Sequence, residues 1–241
     1  MSSRAVGLGV AALLLAVPAV AQELNIPTRS PRTGAVIFRG GGYKPRIDSE
    51  KVFQENGRTP YKDTFDDATL LLIEGELQRF FYQGIGTAGL GLGLGYAEKY
   101  VDAKLEDGSV SADKAALKVL PIQLNAFYKF DYAAFRWGIP LVPYAKLGLI
   151  YSPWWMTTGS ATEMVDGVKA SGGKWGWAGT AGVSFLLDVL EPRFARDFDS
   201  DLGVNHSYLF AEYTHADVNN FGGKGLNLGS RRWMFGLALD Y

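Results

Sequence analysis

The sequence predicts an all-β fold, an eight-stranded antiparallel transmembrane β-barrel with one short periplasmic helix between strands 6 and 7. Three observations carry this. Segments of roughly ten residues alternate large apolar residues with small or polar ones and are separated by polar loops. Beyond the N-terminal region no stretch approaches the roughly 18 apolar residues of a spanning helix. The face opposite the large residues is mostly glycine and alanine with a few charges, unlike a soluble sheet's exterior of Lys, Glu and Thr. Turning the barrel inside out resolves this: large residues face lipid, and small or hydrogen-bonding ones fill a narrow lumen.

Composition fits. The 241 residues are 47% apolar with a net charge of -1, and such a near-neutral chain lacks the basic patch a nucleic acid would need. Thirty glycines and 13% aromatics favour strands and turns. There is no cysteine, which excludes a disulfide framework, a cysteine zinc site and a lipidated cysteine. The opening "MSSRAVGLGVAALLLAVPAVAQE" sets Arg4 before an apolar run, then Pro18 and the small-residue site Ala19–Val20–Ala21. Residues 1–21 therefore read as a secretory signal cleaved before Gln22; the rival reading, an uncleaved anchor, is disfavoured by Pro18 and the small-residue site. Residues 22–33 form a periplasmic lead-in, and 34–241 the barrel.

The strand cores fall at 34–44, 69–81, 87–98, 117–129, 142–152, 175–187, 204–215 and 231–241. In the first, glycines 40 to 42 blur the parity, although Arg39 falls inward. In the second, "TLLLIEGELQRFF", Leu71, Ile73, Gly75 and Leu77 oppose Leu72, Glu74, Glu76 and Gln78. In the third, Leu90, Leu92, Leu94 and Tyr96 oppose Gly91, Gly93 and Gly95. The fourth, "LPIQLNAFYK", sets Leu120, Ile122, Leu124, Ala126 and Tyr128 against Gln123, Asn125 and Lys129. Lys146 in the fifth and Glu212 in the seventh face inward. The sixth, "WGWAGTAGVSFLL", sets Trp175, Trp177, Val183, Phe185 and Leu187 against Gly176, Ala178, Thr180, Gly182 and Ser184.

Aromatic positions give an independent check. With odd strands running outward, Tyr96, Tyr151, Trp154, Trp155, Trp175, Trp177 and Trp233 gather near the outer interface. Phe80, Phe81, Tyr82, Tyr128, Phe130, Tyr132, Trp137, Phe185 and Tyr241 gather near the inner one. Membrane barrels carry two such girdles.

The eighth strand, "RRWMFGLALDY", alternates Trp233, Phe235, Leu237, Leu239 and Tyr241. It resembles the C-terminal signal of bacterial outer-membrane proteins, which implies recognition by the barrel assembly machinery. The whole mature chain resembles a small eight-stranded outer-membrane barrel. "GGYKPRIDSE", "VPYAKLGLIYSPWW" and "DFDSDLGVNHSYLFAEY" also resemble a predicted outer-membrane β-barrel family best represented in myxobacteria. That resemblance implies a bacterial outer-membrane location after export and brings no catalytic residues.

One connection, "LLDVLEPRFARDFDSDLG" (186–203), is long for a periplasmic turn. Leu187, Leu190, Phe194 and Phe198 recur at helical spacing, Arg193 and Asp197 form an i,i+4 pair, and Gly203 is placed to cap. A short amphipathic helix is expected at the inner face.

Chemical motifs are weak. "GIGTAG", Gly84 to Gly89, has the letters of a dinucleotide fingerprint, but the glycines after it deny the required helix. Asp197, Asp199 and Asp201 have calcium-loop spacing, yet glycine falls one place late and Tyr208 stands where a glutamate is needed. "NHS" at 205–207 is a chance sequon. His206 and His215 are the histidines, and His215 with Asp217 falls near the outer rim. No catalytic, cofactor or metal site is assigned.

The lumen charges are the firmer signal: Arg39, Glu74, Glu76, Lys146 and Glu212, with Gln78, Gln123 and Asn125 filling further hydrogen-bond positions. Unpaired buried charge costs several kcal/mol, so these groups are expected to pair. The expected role is a side-chain-filled scaffold or a loop-mediated recognition protein, not an enzyme. Its expected partners are outer-membrane lipid, the assembly machinery and an envelope protein. The rivals are a narrow solute or ion channel and a rim-located lipid-modifying enzyme.

Overall fold

The computed structural model describes residues 31–104, 110–158, 161–162, 164–165, 168–223 and 225–241. The expected signal, 1–21, and the lead-in up to residue 30 lie outside the described residues. The strands are β1 (Gly34–Tyr43), β2 (Leu70–Gly84), β3 (Gly86–Lys104), β4 (Val110–Val119), β5 (Ile122–Lys129), β6 (Leu141–Thr158), the short β7 (Ala161–Thr162), β8 (Met164–Val165) and β9 (Val168–Lys169), then β10 (Ser171–Leu186), β11 (His206–Asp217) and β12 (Ser230–Asp240).

The wall is a closed antiparallel ring of eight positions, β1–β2–β3–β5–β6–β10–β11–β12 and back to β1. Closure leaves no strand edge with unpaired amides, the condition for crossing hydrocarbon with strands. At the seam Ala35 pairs with Asp240, and the pairing continues to Gly41 and Met234. Gly34 and Tyr241 exchange two main-chain hydrogen bonds of 2.9 Å.

The expected fourth strand is divided. Pro121 has no amide to give the ladder, so the chain breaks between β4 and β5. The carbonyl of Pro121 accepts from Gly95 N at 2.8 Å, while Leu120 N donates to Pro153 O at 2.9 Å. The wall therefore stays hydrogen-bonded across the break, and β4 extends it outward between β3 and β6.

The glycines of β1 do not shift its parity. Arg39 faces Glu74 and Tyr43 faces Leu70 in unbroken register, so positions 35, 37, 39 and 43 all point inward. Gly41 is required by close approach, because a Cβ there would lie 2.3 Å from the Trp233 carbonyl oxygen.

Residues 33 and 241, the tight β2–β3 turn and the connections β5–β6 and β10–β11 share one end. This end has the tightest connection, the β2–β3 turn between Gly84 and Gly86, and tight turns mark the periplasmic end of such barrels. The expected helix is present there as α4, and among the described residues three further α-helices appear, beside it or elsewhere, that periodicity did not reveal. These are α1 (Lys51–Glu55) and α2 (Pro60–Phe65) in the first outer loop and α3 (Tyr132–Trp137) between β5 and β6; α4 spans Pro192–Leu202. Each of these three is only five or six residues long, too short for a helical period to stand out. Proline opens α4, and Gly203 at φ 69° closes it by donating its N–H to Asp199 O at 3.0 Å. The side chains of Arg193 and Phe194 lie outside the described residues.

Outside the barrel, Leu71, Ile73, Leu77, Leu90, Leu92, Leu94, Leu147, Leu149, Leu209 and Phe235 form an exposed apolar belt. An apolar surface running around a whole molecule is that of a lipid-facing wall. The architecture is an eight-stranded antiparallel β-barrel with an apolar exterior and a charged lumen.

Candidate functional site

Period-two alternation aims one residue from each of several strands at the same level of the lumen. β1 supplies Arg39, β2 supplies Glu74, Glu76 and Gln78, and β5 supplies Gln123. β6 supplies Tyr144 and Lys146, β11 Glu212 and β12 Arg232. Register sets Arg39 directly across from Glu74.

Arg39 is the hub. Its Nε donates to Glu74 Oε2 at 2.7 Å, and its Nη1 donates to Glu76 Oε2 at 2.6 Å while lying 3.3 Å from Glu212 Oε1. Lys146 Nζ bridges Glu76 Oε2 at 3.1 Å and Glu212 Oε2 at 3.3 Å. Arg232 Nη2 lies 3.5 Å from Glu74 Oε1 and Nη1 donates to Ser230 Oγ at 2.7 Å. Neutral groups satisfy further carboxylate lone pairs. Gln123 Nε2 donates to Glu74 at 2.7 Å, Gln78 Nε2 to Glu76 at 2.6 Å and the Tyr144 hydroxyl to Glu212 at 2.8 Å. Three carboxylates thus meet three cations in one closed belt. Glycine makes the space: a Cβ on Gly91 would lie 2.5 Å from Glu76 Oε1, and one on Gly95 would lie 2.7 Å from Glu74 Cγ.

Sequence reasoning named Arg39, Glu74, Glu76, Gln123, Lys146 and Glu212, and the structure brings these six together. Asn125 stays out, its Nδ2 buried without a hydrogen-bond partner. Arg232 and Tyr144 were missed, although parity places both inward: Arg232 precedes the lipid-facing Trp233, and Tyr144 lies two residues before Lys146.

Above the belt the lumen is apolar. Tyr43, Leu70, Leu72, Leu117, Val119, Ile150 and Met234 come from the wall, and Ile47, Tyr61 and Phe65 come down from the first outer loop to join them. Tyr61 stacks on Phe65 with centroids 5.3 Å apart, and burial pushes its phenol well above the usual pKa. Asp48 holds the start of α2 by accepting from the amides of Tyr61 at 2.7 Å and Lys62 at 3.0 Å. The cap is thereby tied to its own loop.

Below the belt a second apolar layer contains Ile37, Phe80, Phe127, Val142, Leu186, Tyr208 and Phe210. Beneath it an ionic latch crosses the periplasmic mouth. Arg32 Nη2 donates to Asp131 at 2.8 Å and Asp240 at 2.9 Å, and Lys129 Nζ donates to Asp240 at 3.1 Å. Thr87 Oγ1 also donates to Asp131, at 2.7 Å. The Arg32 guanidinium lies 4.8 Å from the centroid of the Phe135 ring. Burial opposes its charge, but Asp240 and Asp131 outweigh that and raise its pKa.

Two small voids are found in the lumen among the described residues. Voids of about 20 Å³ below the belt and about 10 Å³ above it each hold roughly one water.

At the outer rim His215 and Asp217 engage different partners. Arg231 Nε donates to His215 Nδ1 at 3.2 Å, while Asp217 pairs with Arg46 at 3.0 Å. At the opposite end His206 Nδ1 meets Asp188 Oδ2 at 2.6 Å. Asp197, Asp199 and Asp201 lie within α4, where residues two apart point in different directions and cannot form a calcium loop. Among the described residues no three such groups are placed to hold a metal.

No family model matches the chain, and no curated protein matches it. Solved structures similar to it include Ail, the attachment invasion locus protein of Yersinia pestis, in complex with the heparin analogue sucrose octasulfate. That match has 12% identity over 87% of this chain and 99% of the other, with a TM-score of 0.46. Neisserial surface protein A matches at 12% identity over 86% and 97% of the two chains, with a TM-score of 0.44. The outer membrane protein OprG from Pseudomonas aeruginosa matches at 16% over 87% and 97%, with a TM-score of 0.41. Likeness at this distance concerns fold and leaves function to the chain's own geometry.

Proposed function

We propose that this protein is a non-conducting envelope barrel, a scaffold whose outer loops carry recognition. One observation carries the reading: a charge-balanced belt closed on both sides by apolar layers, with lumenal voids of about 20 and 10 Å³. An ion entering this lumen would have to displace paired charges and then cross an apolar layer. The belt is then a structural core. Function moves to the surface, where α1 and α2 give the first outer loop a fixed shape that lowers the ordering cost of binding. Val52 on that loop and Phe221 on the last one stand exposed as contact points for an envelope protein. The lipid-facing row Trp233, Phe235, Leu237 and Leu239, with Tyr241, is the feature the assembly machinery would read on the seam strand.

Photo-crosslinkers at positions 52 and 221 in native outer membrane test this. Discrete crosslinked proteins are expected there and not at belt positions such as Leu92. Absence of outer-loop crosslinks, together with steady conductance of the purified protein, would favour the channel.

A further inference from the structure

The lipid-facing row of β12 changes character towards the periplasm. Phe235 is 61% exposed, whereas Leu237 and Leu239 are half-buried. The segment joining β10 to β11 lies beside them. Leu187, Leu190, Phe198 and Val204 face Leu237 and Leu239 across a groove of about 420 Å³. That volume is within the range of ligand sites.

The segment does not complete its own burial. Leu190 and Leu202 are each 68% exposed, and Phe198 is 42% exposed. Phe198 and Leu202 are four apart on α4 and so share a face, while Asp197 and Ser200 point elsewhere. The helix starts from the periplasmic end of β10 and returns to that of β11, which puts it at the depth of Leu239 and Tyr241. A helix with this division of faces at this depth lies in the membrane interface.

We propose that α4 lies in the periplasmic leaflet and that the groove between it and β12 holds one acyl chain of a phospholipid. The occupant follows from continuity: the groove's inner wall is the lower end of the lipid-facing belt, so the groove opens sideways into hydrocarbon. Its lip is polar, with Asp188, Glu191, Asn205, His206 and Ser207. An apolar floor under a polar lip matches an acyl chain below its headgroup. Asp188 is held by His206 Nδ1 and the Ser207 amide, so the exposed carboxylate of Glu191 is the lip group that favours a zwitterionic, amine-bearing headgroup over an anionic one. This inference is independent of whether the lumen conducts.

The chain has no cysteine, so single-cysteine variants can be labelled cleanly. Spin labels at Leu190→Cys, Phe198→Cys, Leu202→Cys and Ser200→Cys would be placed in nanodiscs of phosphatidylethanolamine and phosphatidylcholine. Circular dichroism would confirm retained strand content. The first three labels should collide several-fold more with dissolved oxygen than with a water-soluble nickel chelate, and Ser200→Cys should show the reverse. Nickel access at all four would overturn the proposal by placing the helix in water. Exclusion of both reagents at the first three would overturn it in favour of a protein contact, such as a second copy of this chain. In native mass spectrometry the unmutated protein should retain one phosphatidylethanolamine in preference to phosphatidylglycerol. Leu190→Asp should lose it; equal retention by both would also count against the groove.

Discussion

The two mouths of this barrel are closed by different physics. At the outer mouth Ile47, Tyr61 and Phe65 descend from one loop into an apolar layer, and the closure depends on burial. At the periplasmic mouth Arg32, Lys129, Asp131 and Asp240 close the opening with charge. The outer cap is local in sequence, since its anchors fall within the connection between β1 and β2. The latch is not: Arg32 and Asp240 are 208 residues apart and meet only once the ring has closed. An apolar cap responds weakly to salt, whereas the latch is held by charge; its pairs are largely buried, with Arg32 the most open at 14%, so salt screens them only in part. Of the two mouths, the periplasmic one is therefore the more sensitive to ionic conditions.

Substitutions divide along that line. Arg39 lies between the mouths and contacts all three belt glutamates, so Arg39→Met has the largest expected effect. Stranding buried carboxylates should destabilise the barrel by about 5 kcal/mol in denaturant unfolding from lipid vesicles. A loss under about 1 kcal/mol would mean that the belt is hydrated. Lys146→Met strands fewer contacts and should cost about 3–5 kcal/mol.

Next comes Phe65→Ala in the outer cap, at about 3–4 kcal/mol, with faster proteolysis of the first outer loop and no dependence on salt. A strong salt dependence would place the cap in the same class as the latch. Arg32→Ala should cost about 2 kcal/mol at low salt and less at high salt. If it cost as much as Arg39→Met, the latch would be part of the core and the contrast between the mouths would fail. The smallest effect is expected on the surface, where Lys44 pairs with Asp67 and both are half exposed. Lys44→Ala should change stability by less than about 1 kcal/mol.

How much was legible follows the range of each signal. Period two needs only one strand to be read, so the ring, the lipid face and the inward placement of Glu74, Glu76, Gln123, Lys146 and Glu212 were open to inspection. Arg39 was readable as well, yet glycines 40 to 42 hid the parity beyond it, because a residue without a side chain declares no face. Pro121 divides a strand that alternation alone makes continuous. The outer cap was hidden because a few anchors in a polar loop, Ile47, Tyr61 and Phe65, have no period. The latch was hidden because Arg32, Asp131 and Asp240 become neighbours only through barrel closure.

The central claim is that the lumen is shut, and single-protein conductance in planar bilayers tests it most directly. The unmutated protein should show no steady current. Arg32→Ala should leave that silence intact, because the belt and the outer cap remain. Lys146→Met combined with Phe65→Ala should produce leak events, since it removes a belt cation and a cap anchor together. A stable, well-defined conductance in the unmutated protein would contradict the account and make the charge belt an ion path.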